Sequence, residues 1–308
     1  MTTAVFLALV PIVILIGLGF VLQRRRFADD GFWTQAERLG YYVLLPSLFF
    51  HGLATADLAD QPVAELAAVL IVSTVVVSIL VVLIRPLLRI DSPAFTSVFQ
   101  GSIRFNNYVG VTLAAGLFGT QGIALAAICN AAIVPTVNLL CVIVFARHGT
   151  VRLSAKGIAR QLATNPLILS SLAGILFQLA GLQIPAGITA ALQTLGAASL
   201  PLGLLCVGAA LDFGTARRWI APVATSSAVK FVAMPAVTLA IALPLGLHGP
   251  ALMTALLFQA LPTASSAYIL ARQLGGDAPL MAGITAAQTV LALVMIPLVL
   301  LGLAAWIA

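Results

Sequence analysis

Long apolar runs follow one another along the whole chain, separated by short polar or Pro- and Gly-containing breaks, and no hydrophilic stretch is long enough to fold as a separate soluble domain. Runs of about 20 residues match the hydrocarbon thickness of a bilayer. Read between the breaks, they predict spans near 4–22, 37–54, 63–84, 94–118, 122–146, 165–181, 186–211, 220–244, 250–271 and 279–305. The expected fold class is therefore an all-α polytopic membrane protein with ten transmembrane helices.

Two of these runs carry polar residues where a plain membrane helix would not. In the fourth, GSIRFNNYVG puts Arg104 beside Asn106 and Asn107, ahead of a glycine. Asparagine amides compete for backbone hydrogen bonds and favour helix ends over helix interiors. In the ninth, FQALPTASSAY places Pro262 mid-run with Thr263, Ser265 and Ser266 behind it. Both segments are expected to unwind locally, giving broken helices 4 and 9. Irregular backbone at membrane depth is tolerated only where it is buried in protein or lines a watery cavity, so the two breaks are expected to meet inside the bundle.

Composition sharpens the class. The 308 residues are 61% hydrophobic and 8% charged, against roughly 25% charged in ordinary globular domains, and the mean hydropathy is +1.13. The formal charge of +6 is spread among short loops rather than gathered on one soluble face, which argues against a nucleic-acid partner. Cys129, Cys141 and Cys206 lie within apolar runs and form neither a disulfide framework nor a CxxC metal site. The first apolar run is followed, not preceded, by Arg24, Arg25 and Arg26, the reverse of a cleavable signal peptide, so it is expected to stay as the first span.

The basic residues also set an orientation. Arg24, Arg25, Arg26, Arg38, Arg85, Arg89, Arg147, Arg152, Lys156, Arg160, Arg217, Arg218 and Arg272 all fall in one alternate set of loops or at its helix ends. By the positive-inside rule those loops are cytoplasmic, both termini are external or periplasmic, and the protein is a multi-pass resident of a bacterial inner membrane. The basic loop at 147–164 divides the chain almost in half. Five is an odd number, so if the halves are repeats they are two inverted five-helix repeats, 1–146 and 165–308, joined by a basic cytoplasmic linker.

Arg104 and Lys230 escape the orientation rule, since both lie deep in spans. An Arg at the centre of a membrane helix costs about 2.5–3.5 kcal/mol on insertion scales and needs a partner or a cavity. Lys230 serves equally well as a partner for helix-end carbonyls or as a substrate ligand. No Asp or Glu stands near the middle of any span, so the interior is net positive. This separates two classes of carrier: a cation or proton antiporter needs intramembrane carboxylates, whereas an anion carrier needs fixed positive charge. Guanidinium captures carboxylates bidentately. Arg104, Asn106, Asn107, Pro262, Thr263 and Ser265 are the candidate substrate-binding residues, with Gln259, Asn130, Gln288 and Lys230 behind them. The chain has no G-x-S-x-G around a plausible serine and no H-E-x-x-H, and His51, His148 and His248 are far apart, so no catalytic function is expected. No cofactor or metal is implied.

GSIRFNNYVGVTLAAGLFG, TNPLILSSLAGILFQLAG, LGAASLPLGLLCVGAAL and ALPTASSAYILARQLGGDAPLMAGI, in this order, resemble the bacterial branch of the auxin efflux carrier family, which includes carriers described as malonate or malate transporters. The resemblance covers essentially the whole chain. It implies a scaffold of spans 1, 2, 6 and 7, a mobile transport domain of spans 3–5 and 8–10, crossing of helices 4 and 9 at the site, elevator-type alternating access, and a homodimer through the scaffold. In plant members prolines mark both crossing helices, and an Asn of the first meets the substrate carboxylate. Pro262 matches the second proline and Asn107, or else Asn106, the Asn; FNNYVGVTL holds no proline, and the long hydrophilic loop of many plant members is missing. The expected function is secondary transport of a small organic anion, a carboxylate or dicarboxylate. The alternatives are a sodium- or proton-coupled carrier of another substrate class, and an anion-binding membrane receptor that does not transport.

Overall fold

Every regular element of the computed structural model is helical, and the structure describes residues 2–56, 61–149, 160, 163–212 and 219–302. The helices are α1 (Thr2–Arg24), α2 (Asp30–Leu39), α3 (Leu45–Ala54), α4 (Val63–Leu88), α5 (Ser92–Ile103), α6 (Asn107–His148), α7 (Pro166–Leu179), α8 (Ala186–Ala209), α9 (Ile220–Ala228), α10 (Met234–Ala242), α11 (Gly249–Gln259), α12 (Ser266–Leu274) and α13 (Ala278–Gly302). Single π-helical turns, Gly40–Leu44 and Val229–Ala233, join α2 to α3 and α9 to α10. Most of the basic linker, residues 150–159, 161 and 162, lies outside the described residues, as do Arg217 and Arg218.

Short polar signals start and stop these helices. Asp91 caps α5 by accepting the Ala94 N–H at 2.8 Å, and Asn165 caps α7 by accepting from Leu167 and Ile168. Pro93, Pro166 and Pro250 stand in first turns, where the missing N–H costs nothing. Gly119 interrupts α6 with φ +58°, a conformation that side-chain-bearing residues rarely adopt.

The expectation of ten transmembrane helices is corrected. Among the described residues six helical segments are long and apolar enough to cross a bilayer: Leu7–Arg24, Val63–Leu88, Ser92–His148, Ala186–Ala209, Ile220–Ala242 and Ala278–Gly302. The expected fourth and fifth spans fall within the one 57-residue segment Ser92–His148. The expected second span is divided between the polar α2 and a ten-residue α3. The expected sixth span is the 14-residue α7, about 21 Å long at 1.5 Å per residue, short of a core of about 30 Å. The expected ninth is cut into α11 and α12, of 11 and 9 residues. Breaks and polar turns shorten helices in a way that a run of apolar letters does not reveal.

The chain divides into two compact units, Met1–Val63, Asn107–Ala131 and Ala163–Ala210 in the first, and Ala64–Asn106, Ala132–Leu162 and Leu211–Ala308 in the second. In the first unit, α1 packs closely along α8: a Cβ on Gly19 would strike the Leu205 backbone, and one on Gly208 the Ile16 backbone. Trp33 and Ala36 of α2 bury against Cys206 of α8. In the second unit, Ala94 and Val98 of α5 share a core with Val223, Ala267, Ala271, Leu280, Met281 and Ile284. This core places α5, α9, α12 and α13 around one another and so positions both ends of the site described next.

Candidate functional site

α5 ends at Ile103 because the next residue leaves helical geometry. Arg104 has φ −73° and ψ 158°, although its N–H still donates to the Gln100 carbonyl at 2.8 Å. Residues 104–106 are non-helical and α6 begins at Asn107. The half-buried Arg104 side chain crosses to α6, where a guanidinium N–H donates to Asn138 Oδ1 at 3.0 Å. The Cys141 thiol lies within interaction range of the same guanidinium. Asn138 and Cys141 are three residues apart and so share a helix face. Asn138 and Cys141 are both neutral groups.

Lys230 lies in the π-helical turn that follows α9. It is fully buried, its amine has no hydrogen-bond partner among the described residues, and Cys141 lies within its electrostatic range. Two cationic side chains thus flank one thiol inside the second unit. A buried cation without an acidic partner favours an anionic ligand in its surroundings.

The second break follows α11. Ala260 closes the helix with an N–H shared between the Leu256 and Leu257 carbonyls, and 261–264 follow no regular path. Pro262 is buried there, and Ser265 opens α12 with its carbonyl accepting from Tyr268. The Thr263 N–H, freed by the break, donates to Gln288 Oε1 at 3.0 Å. The amide nitrogen of Gln288 donates in turn to the Gly101 carbonyl at 3.0 Å and to Ser226 Oγ at 3.2 Å. One α13 side chain thereby ties the Pro262 break to the last turn of α5, just ahead of Arg104, and to α9. Gln259 anchors the other side: its Nε2 donates to Ser73 Oγ, Thr74 Oγ1 and the Leu70 carbonyl of α4 at 2.8, 3.0 and 3.3 Å.

Within this framework some buried polar atoms have no partner among the described residues: both amide atoms of Gln100, Ser227 Oγ, Thr263 Oγ1 and the Lys230 amine. Gln100 precedes Arg104 by one helical turn and shares its face.

The structure therefore brings Arg104, Pro262, Thr263, Gln259, Gln288 and Lys230 into one unit. Asn106 is buried at the end of a segment of that unit. Asn107 begins the next segment of the first unit, with its Oδ1 buried and without a partner among the described residues. Asn130 also belongs to the first unit and bonds its own helix, Nδ2 to the Ala126 carbonyl at 2.8 Å. Sequence reasoning missed Asn138, Gln100 and Ser226. Asn138 and Gln100 are amides inside apolar runs, the same signal that singled out Asn106, but no backbone-breaking neighbour drew attention to them. Cys141, which the sequence marked only as lying within an apolar run, interacts with Arg104. Among the described residues no three His, Cys, Asp or Glu side chains gather as metal ligands.

Residues 4–300 match the family model Mem_trans, described as "Membrane transport protein". A protein of Rhizobium meliloti (strain 1021), named "Putative malonate transporter", is 28% identical over 253 residues, covering 76% of this chain and 75% of its own length. A second, named "Uncharacterized transporter", from Methanothermobacter thermautotrophicus (strain ATCC 29096 / DSM 1053 / JCM 10044 / NBRC 100330 / Delta H), is 24% identical over 290 residues, covering 93% of this chain and 94% of its own length.

Proposed function

The chain belongs to the Mem_trans family of membrane transport proteins, the auxin efflux carrier group in its bacterial branch, and from that premise we propose that it moves a small organic anion, a carboxylate or dicarboxylate, across the plasma membrane. The observation that carries the reading is the pair of basic side chains in one unit: Arg104, half-buried and hydrogen-bonded to the neutral Asn138, and Lys230, fully buried with no hydrogen-bond partner among the described residues. Fixed positive charge inside a bilayer is costly, and an anion that enters to meet it offsets that cost. The name of the Rhizobium relative points the same way and makes malonate the first substrate to try.

In this reading Arg104 grips a carboxylate, and the Thr263 hydroxyl with the Gln100 amide completes its hydrogen bonds. Asn106, Asn107, Pro262 and Ser265 shape the approach, and Lys230 supplies the second charge that a dicarboxylate uses. Transport is elevator-type. The helices α4 to α6 and α9 to α13 carry the site past a scaffold of α1 to α3, α7 and α8, through which two copies form a homodimer. In this reading the Arg24 end of α1 faces the cytoplasm by the positive-inside rule, and both termini lie outside.

The test is uptake of radiolabelled malonate by vesicles containing the purified protein, beside a thermal-shift panel of mono- and dicarboxylates. Accumulation or exchange that is lost in Arg104→Ala supports the reading. Binding without accumulation identifies a receptor, and a stabilising carboxylate to which Arg104→Ala responds as well as wild type removes Arg104 from the site.

A further inference from the structure

A second basic cluster stands in the same unit, away from Arg104 and Lys230. Arg85 lies in the last turn of α4 and Arg147 in the last turn of α6. Both guanidinium groups act on the His148 ring, so the two helix ends converge. Arg85 lies over the Phe95 ring of α5, 5.2 Å from its centroid, and donates to Ser92 Oγ at 3.0 Å. The His148 ring packs edge-on against the same phenyl ring at 5.3 Å. Arg85 is half-buried and Arg147 exposed.

An apolar groove opens beside this cluster, lined among others by Ser78 and Val82 of α4, Phe99 of α5, and Leu140, Ile143 and Val144 of α6. Its volume is about 190 Å³, far more than the ~10–15 Å³ that one water needs, and its apolar lining offers water little. Ser78, Val82 and Arg85 follow one another by four and three residues, and Leu140, Ile143 and Arg147 by three and four. Each set forms one stripe of its helix. The groove therefore leads along both helices into the arginines, and the Phe95 and Phe99 rings, 6.3 Å apart, continue the same wall on α5.

We propose that this face is a binding site for an anionic phospholipid, with its phosphate between Arg85 and Arg147 and one acyl chain along the groove. The seven helical steps from Ser78 to Arg85 span about 10 Å at 1.5 Å per residue, the length of a substantial part of an acyl chain. A groove in the membrane-embedded wall of a protein meets acyl chains, and a pair of arginines at its end selects the headgroup that brings net negative charge. A zwitterionic headgroup carries its own cation and neutralises less of the pair's field. A free phosphate ester satisfies the arginines and leaves the groove unused. If these arginines only set orientation during insertion, no headgroup preference follows in the folded protein. The proposal rests on membrane residence and not on the identity of the transported anion.

The experiment compares the unfolding temperature of the purified full chain in detergent with added phosphatidylglycerol, phosphatidylcholine of the same acyl chains, or glycerol 3-phosphate. Phosphatidylglycerol is expected to raise the midpoint by about 4 °C more than phosphatidylcholine, and glycerol 3-phosphate to leave it unchanged. Arg85→Gln/Arg147→Gln should lose that increment while keeping the phosphatidylcholine response. Ile143→Trp, which fills the groove, should lower the response to both lipids. Equal stabilisation by the two lipids, an undiminished increment in the double variant, or the same shift with glycerol 3-phosphate overturns the site. If the double variant does not fold, competition of the two lipids for wild type in native mass spectrometry decides: preferential retention of phosphatidylglycerol supports the site, and equal retention overturns it.

Discussion

At Arg104 a helix stops without a proline, and the side chain leaving the break is a charge. At Pro262 a helix stops on a proline, and the groups gathered around it are amides and hydroxyls. The Arg104 backbone N–H keeps its helical hydrogen bond to Gln100, so what reaches outward is the guanidinium, held by Asn138 and Cys141. At Pro262 the backbone itself is held from outside, by Gln288 through Thr263 on one side and by Gln259 to α4 on the other. The first break is loaded electrostatically and the second is fixed mechanically. In the proposed function a ligand is sensed at the first, and the geometry is maintained at the second.

The sharpest way to break that contrast is Arg104→Ala. Loss of a charge-assisted contact to substrate should lower malonate uptake about 10- to 100-fold, with little loss of stability, because the variant also removes a costly half-buried charge. Arg104→Lys should recover only part of the uptake, since an ammonium cannot reproduce the guanidinium fork. A thermal midpoint that falls as far as uptake does would make this break structural, like the other.

Gln288→Leu should act in the opposite sense, lowering stability first and transport through it. It strips the Thr263 N–H of its acceptor and the Gly101 carbonyl and Ser226 hydroxyl of their donor, at about 1–3 kcal/mol for each group left unsatisfied. Thermal unfolding in detergent measures this, and an unchanged midpoint would show that the tie is incidental. Gln259→Leu should cost less, about 1 kcal/mol, because Ser73 and Thr74 already donate to the Leu70 carbonyl and remain satisfied. Pro262→Ala should be the mildest. The variant gains unfolded-state entropy worth about 0.4–1 kcal/mol while Gln288 still holds the Thr263 N–H in the break. Hydrogen exchange at residues 260–265 checks it, and strong new protection across this stretch would mean that α11 and α12 had fused and that the proline alone made the break.

Both breaks were legible in the sequence, and for the same kind of reason. Paired asparagines and a mid-run proline act on their own backbone within a turn, so local chemistry announces them. The number of membrane-crossing helices was not legible, because a run of apolar letters continues through a polar turn or a Gly119 with φ +58° without marking it. Nor were the partners. Asn138 lies 34 residues beyond Arg104, and Gln288 lies 25 residues beyond Thr263 and 187 beyond Gly101. Of the second-rank residues, Gln288 and Gln259 hold the second break, whereas Asn130 spends its amide on its own helix. Their letters in the chain are alike, and only the helix facing each one differs.

The sequence by itself determined the membrane class and the positions at which the backbone leaves the helix, since each depends on the transfer energy or conformational preference of residues close together in the chain. The tertiary structure decided which helices are long enough to span, which amide anchors which break, and that the arginine and the lysine converge on Cys141. Those outcomes depend on how side chains of different helices pack and satisfy one another at a distance, and local sequence pattern carries no record of that.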